Sequence, residues 1–434
     1  MESFPLYSIT PFVLMLSFIA VGPLAFSHWW ESNRNKLIIS LALSIPTAIY
    51  LIMNNRLYDL EHQLIFDYIP FIILLGGLFV VTGGIFISGD IEAKPLINTV
   101  FLSAGAVFAS FMGTTGAAML LIRTVININS ERKFKSHTIL FFIAIVANIG
   151  GLLTPLGDPP LFLLYLRGVP FTWFFTLLPE WLFANGILLL LYYFVDSYFY
   201  KKEPAKNIKY DKTNITPIKI EGKLNFFWLT GIILSVAFLN KQYIPQIEHN
   251  RFLAFIREGV ILSMAILSII TTAKKTRTEN RFTWHPIIEV AYLFLGIFIT
   301  MVPALIYLNT NSTQLGLVTE QQFFYATGMA SSFLDNAPAA VAFHSLALGL
   351  KSQFDILFAG NTIVAGIPVD LLKAISVGSV FFGAMTYIGN GPNFMVKAIA
   401  EENKIKMPDF FSYMIKFSIL VLLPIFILVQ LFFI

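Results

Sequence analysis

Between Thr154 and Pro160 the chain reads Thr-Pro-Leu-Gly-Asp-Pro-Pro, and it does so inside a long apolar run. Prolines remove amide donors and clash with preceding carbonyls, so this stretch cannot continue a regular helix. Its surroundings make that break costly. The 434 residues are 56% hydrophobic and 12% charged, with a mean hydropathy of +0.74, far more apolar than the usual soluble domain. The expected solvent is therefore a bilayer, where non-helical backbone persists only if protein or a water-filled cavity covers it.

Apolar runs long enough to cross roughly 30 Å of hydrocarbon occur at residues 11–28, 36–53, 67–89, 137–164, 171–199, 225–240, 252–272, 284–309, 355–396 and 411–433. Two more, 98–122 and 321–350, carry central Gly, Pro or Asp and read as re-entrant hairpins. The first basic residue, Arg34, follows a full apolar span, so residues 11–28 read as a retained crossing rather than a secretory signal. The richest basic loop holds Lys201, Lys202, Lys206, Lys209, Lys212, Lys219 and Lys223, which assigns it to the cytoplasm. Counting crossings from it puts Arg132 to Lys135, Lys274 to Arg281 and, with both hairpins re-entrant, Arg34, Lys36 and Lys397 to Lys406 on the same side. Both termini then lie outside. The expectation is a multi-pass protein of a bacterial inner membrane.

The chain is also duplicated. Ser110-Phe-Met-Gly-Thr-Thr-Gly-Ala-Ala118 aligns with Ser332-Phe-Leu-Asp-Asn-Ala-Pro-Ala-Ala340 at an offset of 222 residues, and Thr154 to Phe162 aligns with Thr386 to Phe394 at an offset of 232. The latter share T-x-x-G-[DN]-x-P. Leu75-Gly76 matches Leu295-Gly296 upstream. By the crossing count, 67–89 and 284–309 run in opposite senses, so the repeats are inverted, as in many transporters. The fold expected is an all-α polytopic membrane protein with two inverted-topology repeats, two re-entrant hairpins and two discontinuous helices. Its parts are scaffold helices in 1–64, a first repeat in 65–199 with hairpin 98–122 and broken helix 137–164, a cytoplasmic loop and connecting helices in 200–283, and a second repeat in 284–434 with hairpin 321–350 and broken helix 355–396.

Interrupted apolar segments at matching positions of two halves are the best sequence pointer to a transport site. A break exposes carbonyls at one half-helix end and amides at the other, and Thr, Asn and Asp side chains add oxygens suited to a hard cation such as Na⁺. An Asp at the bilayer centre costs roughly 2.5–3.5 kcal/mol on insertion scales and seldom stays without a use. Asp158 and Asp335 therefore stand out, as carboxyls that could exchange a proton for a cation. Around them the ion- or substrate-binding candidates are Asn336, Thr154, Thr386, Asn390, Ser332, Thr114, Thr115 and Asn393. Na⁺ is expected at Asp335, Asn336, Asp158, Thr154 and Thr386. Gly113, Gly116, Pro155, Gly157, Pro159, Pro338, Gly389, Gly391 and Pro392 shape the turns and breaks. Blander readings exist: Gly157-Asp158-Pro159 as a turn at the membrane edge, Asp335-Asn336 as a helix cap, Thr114-Thr115 as satisfiers of backbone. Glu180 and Glu289 read as scaffold ion pairs or interfacial groups, Arg123 and His344 as interfacial, and Lys373 as snorkelling to headgroups. Trp29, Trp30 and Trp284 fit an aromatic belt.

Cysteine is absent, which excludes a disulfide framework, a thiolate metal site and a cysteine nucleophile. The formal charge of +4 comes with no basic nucleic-acid surface, no P-loop and no metalloprotease helix, so neither nucleic acid nor ATP is an expected partner, and no cofactor is expected beyond transported or coupling Na⁺ and H⁺.

At Gly150 to Pro160, Ser331 to Pro338 and Tyr387 to Asn393 the chain resembles the NhaD-type sodium/proton antiporters of the ion transporter superfamily, close to the "putative citrate transport" family. The resemblance covers most of residues 65–430. It implies a homodimer with scaffold and transport domains moving as an elevator, and Na⁺ or Li⁺ and protons held at Asp158, Thr154, Ser332, Asp335, Asn336, Thr386 and Asn390. The first hairpin tip departs from the pattern: it reads Gly113-Thr114-Thr115-Gly116 where acidic or Asn-rich tips occur in the antiporters. Neither tip carries the Ser-Asn-Thr signature of carboxylate importers. The leading expectation is Na⁺(Li⁺)/H⁺ antiport; the alternatives are sodium-coupled uptake of citrate or a dicarboxylate, and a non-transporting membrane receptor or assembly factor. The acidic residue sits in the broken helix of the first repeat and the hairpin tip of the second, an asymmetry that favours a cation.

Overall fold

The computed structural model describes residues 4–248, 253–358 and 360–434; residue 252, where one predicted span starts, and residue 359 within another lie outside them. Among the described residues, nine helical stretches are long and apolar enough to cross a membrane, and strand is confined to two short ribbons. The chain is an all-α multi-pass membrane protein. Its main helices are α1 (Thr10–Ala25), α2 (Asn33–Met53), α3 (Ile69–Thr82), α4 (Pro95–Met112), α5 (Thr114–Ile128), α6 (Ser136–Ile145), α7 (Pro159–Leu166), α8 (Leu178–Tyr200), α9 (Leu224–Phe238), α10 (Ile256–Thr271), α11 (His285–Thr310), α12 (Glu320–Leu334), α13 (Asn336–Gly349), α14 (Val369–Phe382), α15 (Gly391–Glu402) and α16 (Leu423–Phe433).

Two hairpins stand where the sequence suggested them. A single residue joins α4 to α5, and a single residue joins α12 to α13: Gly113 at φ 81°, ψ 147° and Asp335 at φ 73°, ψ 137°. They are equivalent positions of the duplication and share one backbone conformation. The hairpins enter from opposite ends of α11. The first is tied near the start of that helix, where Arg123 donates to the Asn280 carbonyl at 3.4 Å, and the second near its end, where Ser345 donates to the Leu305 carbonyl at 2.9 Å. The 26 residues of α11 span roughly 39 Å at about 1.5 Å each.

Both broken helices are also present. After α6 the chain makes a 3₁₀ turn over Ile149–Leu153 before α7, and after α14 a 3₁₀ turn over Gly383–Met385 before α15. The first break begins earlier than the prolines required, at residue 146, because Gly150-Gly151 lets the backbone fold against itself. A Cβ on Gly157 would fall on the Gly151 carbonyl, and one on Gly389 would lie 2.7 Å from the Gly383 carbonyl. The pairs 151/157 and 383/389 keep the 232-residue offset, so the repeated motif lengthens to G-x-x-T-x-x-G-[DN]. Burial places these segments at the centre: the apolar window of Ser136–Leu153 is 78% buried, against 22% for Leu253–Thr271.

Several expected boundaries move. The crossing drawn at 67–89 is the continuous stretch Leu57–Thr82, so the division at residue 65 cuts a helix. Gly83-Gly84 ends it, and Phe86–Asp90 (β1) becomes a strand paired antiparallel with Thr216–Glu221 (β2), Ile87 opposite Ile220. The Lys-rich loop thus contains that strand and a helix, Ala205–Thr213. The segment drawn at 355–396 turns helical for its crossing only at Val369, since Gly360, Ala365 and Gly366 adopt positive φ and Ile363–Val364 pairs with Ile367–Pro368. Lys373 does not snorkel: it pairs with Glu180 at 3.2 Å, because a carboxylate only 1% exposed needs a counter-charge. Glu289 pairs with Lys36 at 2.7 Å, joining α11 to α2. His344 is buried, its Nε2 3.1 Å from the Ala365 carbonyl.

The glycine contacts predict a matched pair of defects. Gly157→Ala and Gly389→Ala should each lower thermal stability in detergent by roughly 1–3 kcal/mol, the overpacking range. Gly186→Ala, in open space within α8, should be neutral or stabilising by about 0.5–1 kcal/mol. Equal midpoints for all three variants would contradict the close backbone approach.

Candidate functional site

Unwinding two helices leaves many backbone groups without helical partners, and the chain satisfies them with side chains. The duplication does this twice in the same way. Thr154 donates its hydroxyl to the Ser110 carbonyl and accepts from the Leu156 amide at 3.1 Å. Thr386 donates to the Ser332 carbonyl at 2.5 Å and accepts from the Ile388 amide at 3.2 Å. Each threonine staples a broken helix to the hairpin of its own repeat. Ser332 donates to the carbonyls of Gly328 and Phe382 at 2.9 and 3.2 Å. Asn393 donates to those of Gly383 and Thr386 at 2.8 and 2.9 Å. The Gly150 carbonyl accepts from Ser110 at 2.5 Å and from the Trp181 indole at 3.0 Å.

One carboxylate gathers what remains. Asp158, at the start of α7 and 1% exposed, accepts from Thr114 of the first hairpin tip at 2.7 Å. It accepts from Asn390 of the second break at 3.0 Å and, in a short contact, from Asn336 of the second hairpin tip. Both hairpins and both broken helices therefore contribute to the surroundings of a single side chain. No Lys, Arg or His pairs with it among the described residues. A turn at the membrane edge does not describe this position.

Asp335 is the next carboxylate. It caps α13 by accepting from the Ala337 amide at 3.3 Å, so the helix-cap reading is right about its geometry. Its backbone says more. At φ 73°, ψ 137° a non-glycine residue is strained by about 1–3 kcal/mol, and the equivalent residue of the first repeat is glycine. Beside it, Asn336 is fully buried and its Oδ1 has no hydrogen-bond partner. Two carboxylates and an unengaged amide oxygen form the kind of donor set a hard cation takes.

Asp158, Thr114, Asn336 and Asn390 are thus in direct contact, with Asp335 adjoining them. Thr154, Thr386, Ser332 and Asn393 lie one layer out, holding backbone. Thr115 makes no hydrogen bond to Asp158; with Thr114, Gly113, Gly157, Pro286 and Val290 it lines a cavity of about 60 Å³ beside the tip. A residue absent from the sequence candidates is central: Asn148 donates to Asn393 Oδ1 at 2.7 Å and accepts from Asn390 at 3.2 Å, locking the two breaks together. An asparagine next to Gly150-Gly151 within an apolar run was the available signal.

Broken helices of two repeats converging on a buried polar centre define a multi-pass membrane transporter. Residues 1–434, the whole chain, match the family described as "putative citrate transport", and the protein belongs to that family. Comparison with curated proteins returned no match.

The strained cap predicts an unusual stability effect. Asp335→Gly removes the strain and loses only a few tenths of a kcal/mol of capping, so it should raise stability by about 1 kcal/mol. Asp335→Ala keeps the strain, loses the cap and should be destabilised. Thermal unfolding of the two variants in one detergent checks the order.

Proposed function

We propose that the protein exchanges Na⁺ or Li⁺ for protons across the membrane, with Asp158 and Asp335 as the carboxyls that alternate between cation and proton. The observation that carries this is Asp158, buried, gripped by side chains from three other elements, and without a basic partner among the described residues. A charge in that setting is expensive unless a proton or a cation neutralises it, so the site's resting requirement is its transport chemistry. Asn336 Oδ1 is the amide ligand best placed to complete the cation's shell, while Thr154 and Thr386 act by holding the breaks open.

The family's description favours a second reading, sodium-coupled uptake of citrate or a dicarboxylate. In that reading the same carboxyls hold coupling cations. The first reading is preferred because, among the described residues, no guanidinium or ammonium bonds Asp158 or the groups around it to meet a tricarboxylate. The remaining parts of the proposal are an inner-membrane location with the Lys-rich loop cytoplasmic, a homodimer and elevator-like movement of the hairpins with their broken helices.

Everted vesicles carrying a preformed pH gradient should lose it on addition of Na⁺ or Li⁺, while proteoliposomes given labelled citrate accumulate none. Citrate accumulation with a Na⁺-indifferent gradient would reverse the choice. Asp158→Asn and Asp335→Asn should each reduce exchange at least 100-fold with unchanged membrane insertion; retained exchange in either removes that residue from the mechanism.

A further inference from the structure

Away from the cation site, on the Lys-rich side of the molecule, a crevice of about 370 Å³ lies between α5, the β1 strand, the turn before α11 and the end of α15. That volume falls within the roughly 300–1,000 Å³ of small-molecule sites. Two arginines line it: Arg123 from the first hairpin and Arg281 from the turn. Neither pairs with a carboxylate among the described residues. Arg123 makes one hydrogen bond, 3.4 Å to the Asn280 carbonyl, and the charge of Glu402 reaches it without forming an ion pair. The acid on the wall, Glu279, pairs instead with Lys275 at 3.7 Å. Asn127, Ser130 and Asn403 complete the polar lining.

Several inner cations of the chain are paired, while Arg277 is held by the Val80 carbonyl and the Ser268 hydroxyl. Lys36, Lys373, Arg132 and Arg167 all have carboxylate partners. Two guanidiniums facing one crevice repel each other, and a guanidinium's planar fork of donors matches the oxygens of a tetrahedral anion. We propose that this crevice binds a phosphate-class oxyanion between Arg123 and Arg281. The bound anion ties the first hairpin to the turn that begins α11, and so stiffens the hairpin whose tip, at Thr114, lies nine residues along the same helix. The site is independent of the cation reading, because its anion is neither carried nor in contact with Asp158.

The anion can come from solution or from a lipid headgroup, and one experiment distinguishes them. The full-length protein is placed in phosphatidylcholine nanodiscs without Na⁺ and titrated with inorganic phosphate at ionic strength matched by chloride; a parallel sample sits in phosphatidylglycerol nanodiscs without phosphate. The readout is the unfolding midpoint. A saturable rise with phosphate identifies a soluble anion, and a rise only with phosphatidylglycerol identifies the headgroup. In whichever arm responds, Arg123→Gln and Arg281→Gln should each weaken the effect about ten-fold or more, and Lys206→Gln, at an exposed lysine outside the crevice, should leave it unchanged. Arg281 is exposed, so its variant folds even where that of Arg123 does not. No rise in either arm, or a rise that Arg281→Gln leaves intact, overturns the proposal.

Discussion

The structure is organised around a carboxylate that has no counter-charge among the described residues. Asp158 lies at the point where two hairpin tips and two broken helices meet, and its oxygens are met by a hydroxyl and two amides rather than by a cation. Hydrogen bonds from neutral donors lower the cost of such a charge without cancelling it. The unwound backbone, the close glycine pairs and the threonine staples are what is needed to bring four distant segments to one side chain inside a bilayer. An uninterrupted helix presents side chains along its flank. A broken one presents its ends, and ends can converge.

Symmetry supplies the scaffold of this centre and departures from symmetry supply its chemistry. The staples at Thr154 and Thr386 and the crossings at Gly151/Gly157 and Gly383/Gly389 are equivalent to the level of individual hydrogen bonds and contacts. The chemically active positions are not: Gly113 opposes Asp335, Asp158 opposes Asn390, and Thr114 opposes Asn336. Each pair places an acid or carboxamide in one repeat against a smaller or neutral group in the other. One cluster results, with two carboxylates, in place of two equivalent half-sites. Asn148 and Asn393 belong to this asymmetry, since they join the two breaks directly.

Charges elsewhere follow a different rule. Lys36 with Glu289, Lys373 with Glu180, and Arg132 with Asp196 at 2.8 Å each join two elements. A buried pair of this kind contributes little net stability but is costly to break, so these contacts hold the elements in register around the centre. Against that background Asp158 at the centre, and Arg123 with Arg281 beside the first hairpin, stand without an ion-pair partner among the described residues, where a ligand can supply the opposite charge.

Much of this was legible in the residues. Apolar composition identified the solvent, and proline and glycine chemistry located the breaks, because both are local properties that do not wait for packing. The duplication could be read because the motif residues are the ones the breaks require. What lay beyond the sequence were the partners. Thr154 and Thr386 looked like cation ligands, and only the packed hairpins reveal that their hydroxyls hold carbonyls. Thr115 looked equivalent to Thr114, but Thr114 alone of the two bonds Asp158. Asn148 finds Asn393 across 245 residues of chain, and Lys373 finds Glu180 where headgroups were expected. The sequence by itself determined that the chain lives in a membrane, where it must unwind and which acids lie there. The tertiary structure decided which side chains meet, because a hydrogen bond depends on a few tenths of an ångström between segments that only the docking of the two repeats brings together.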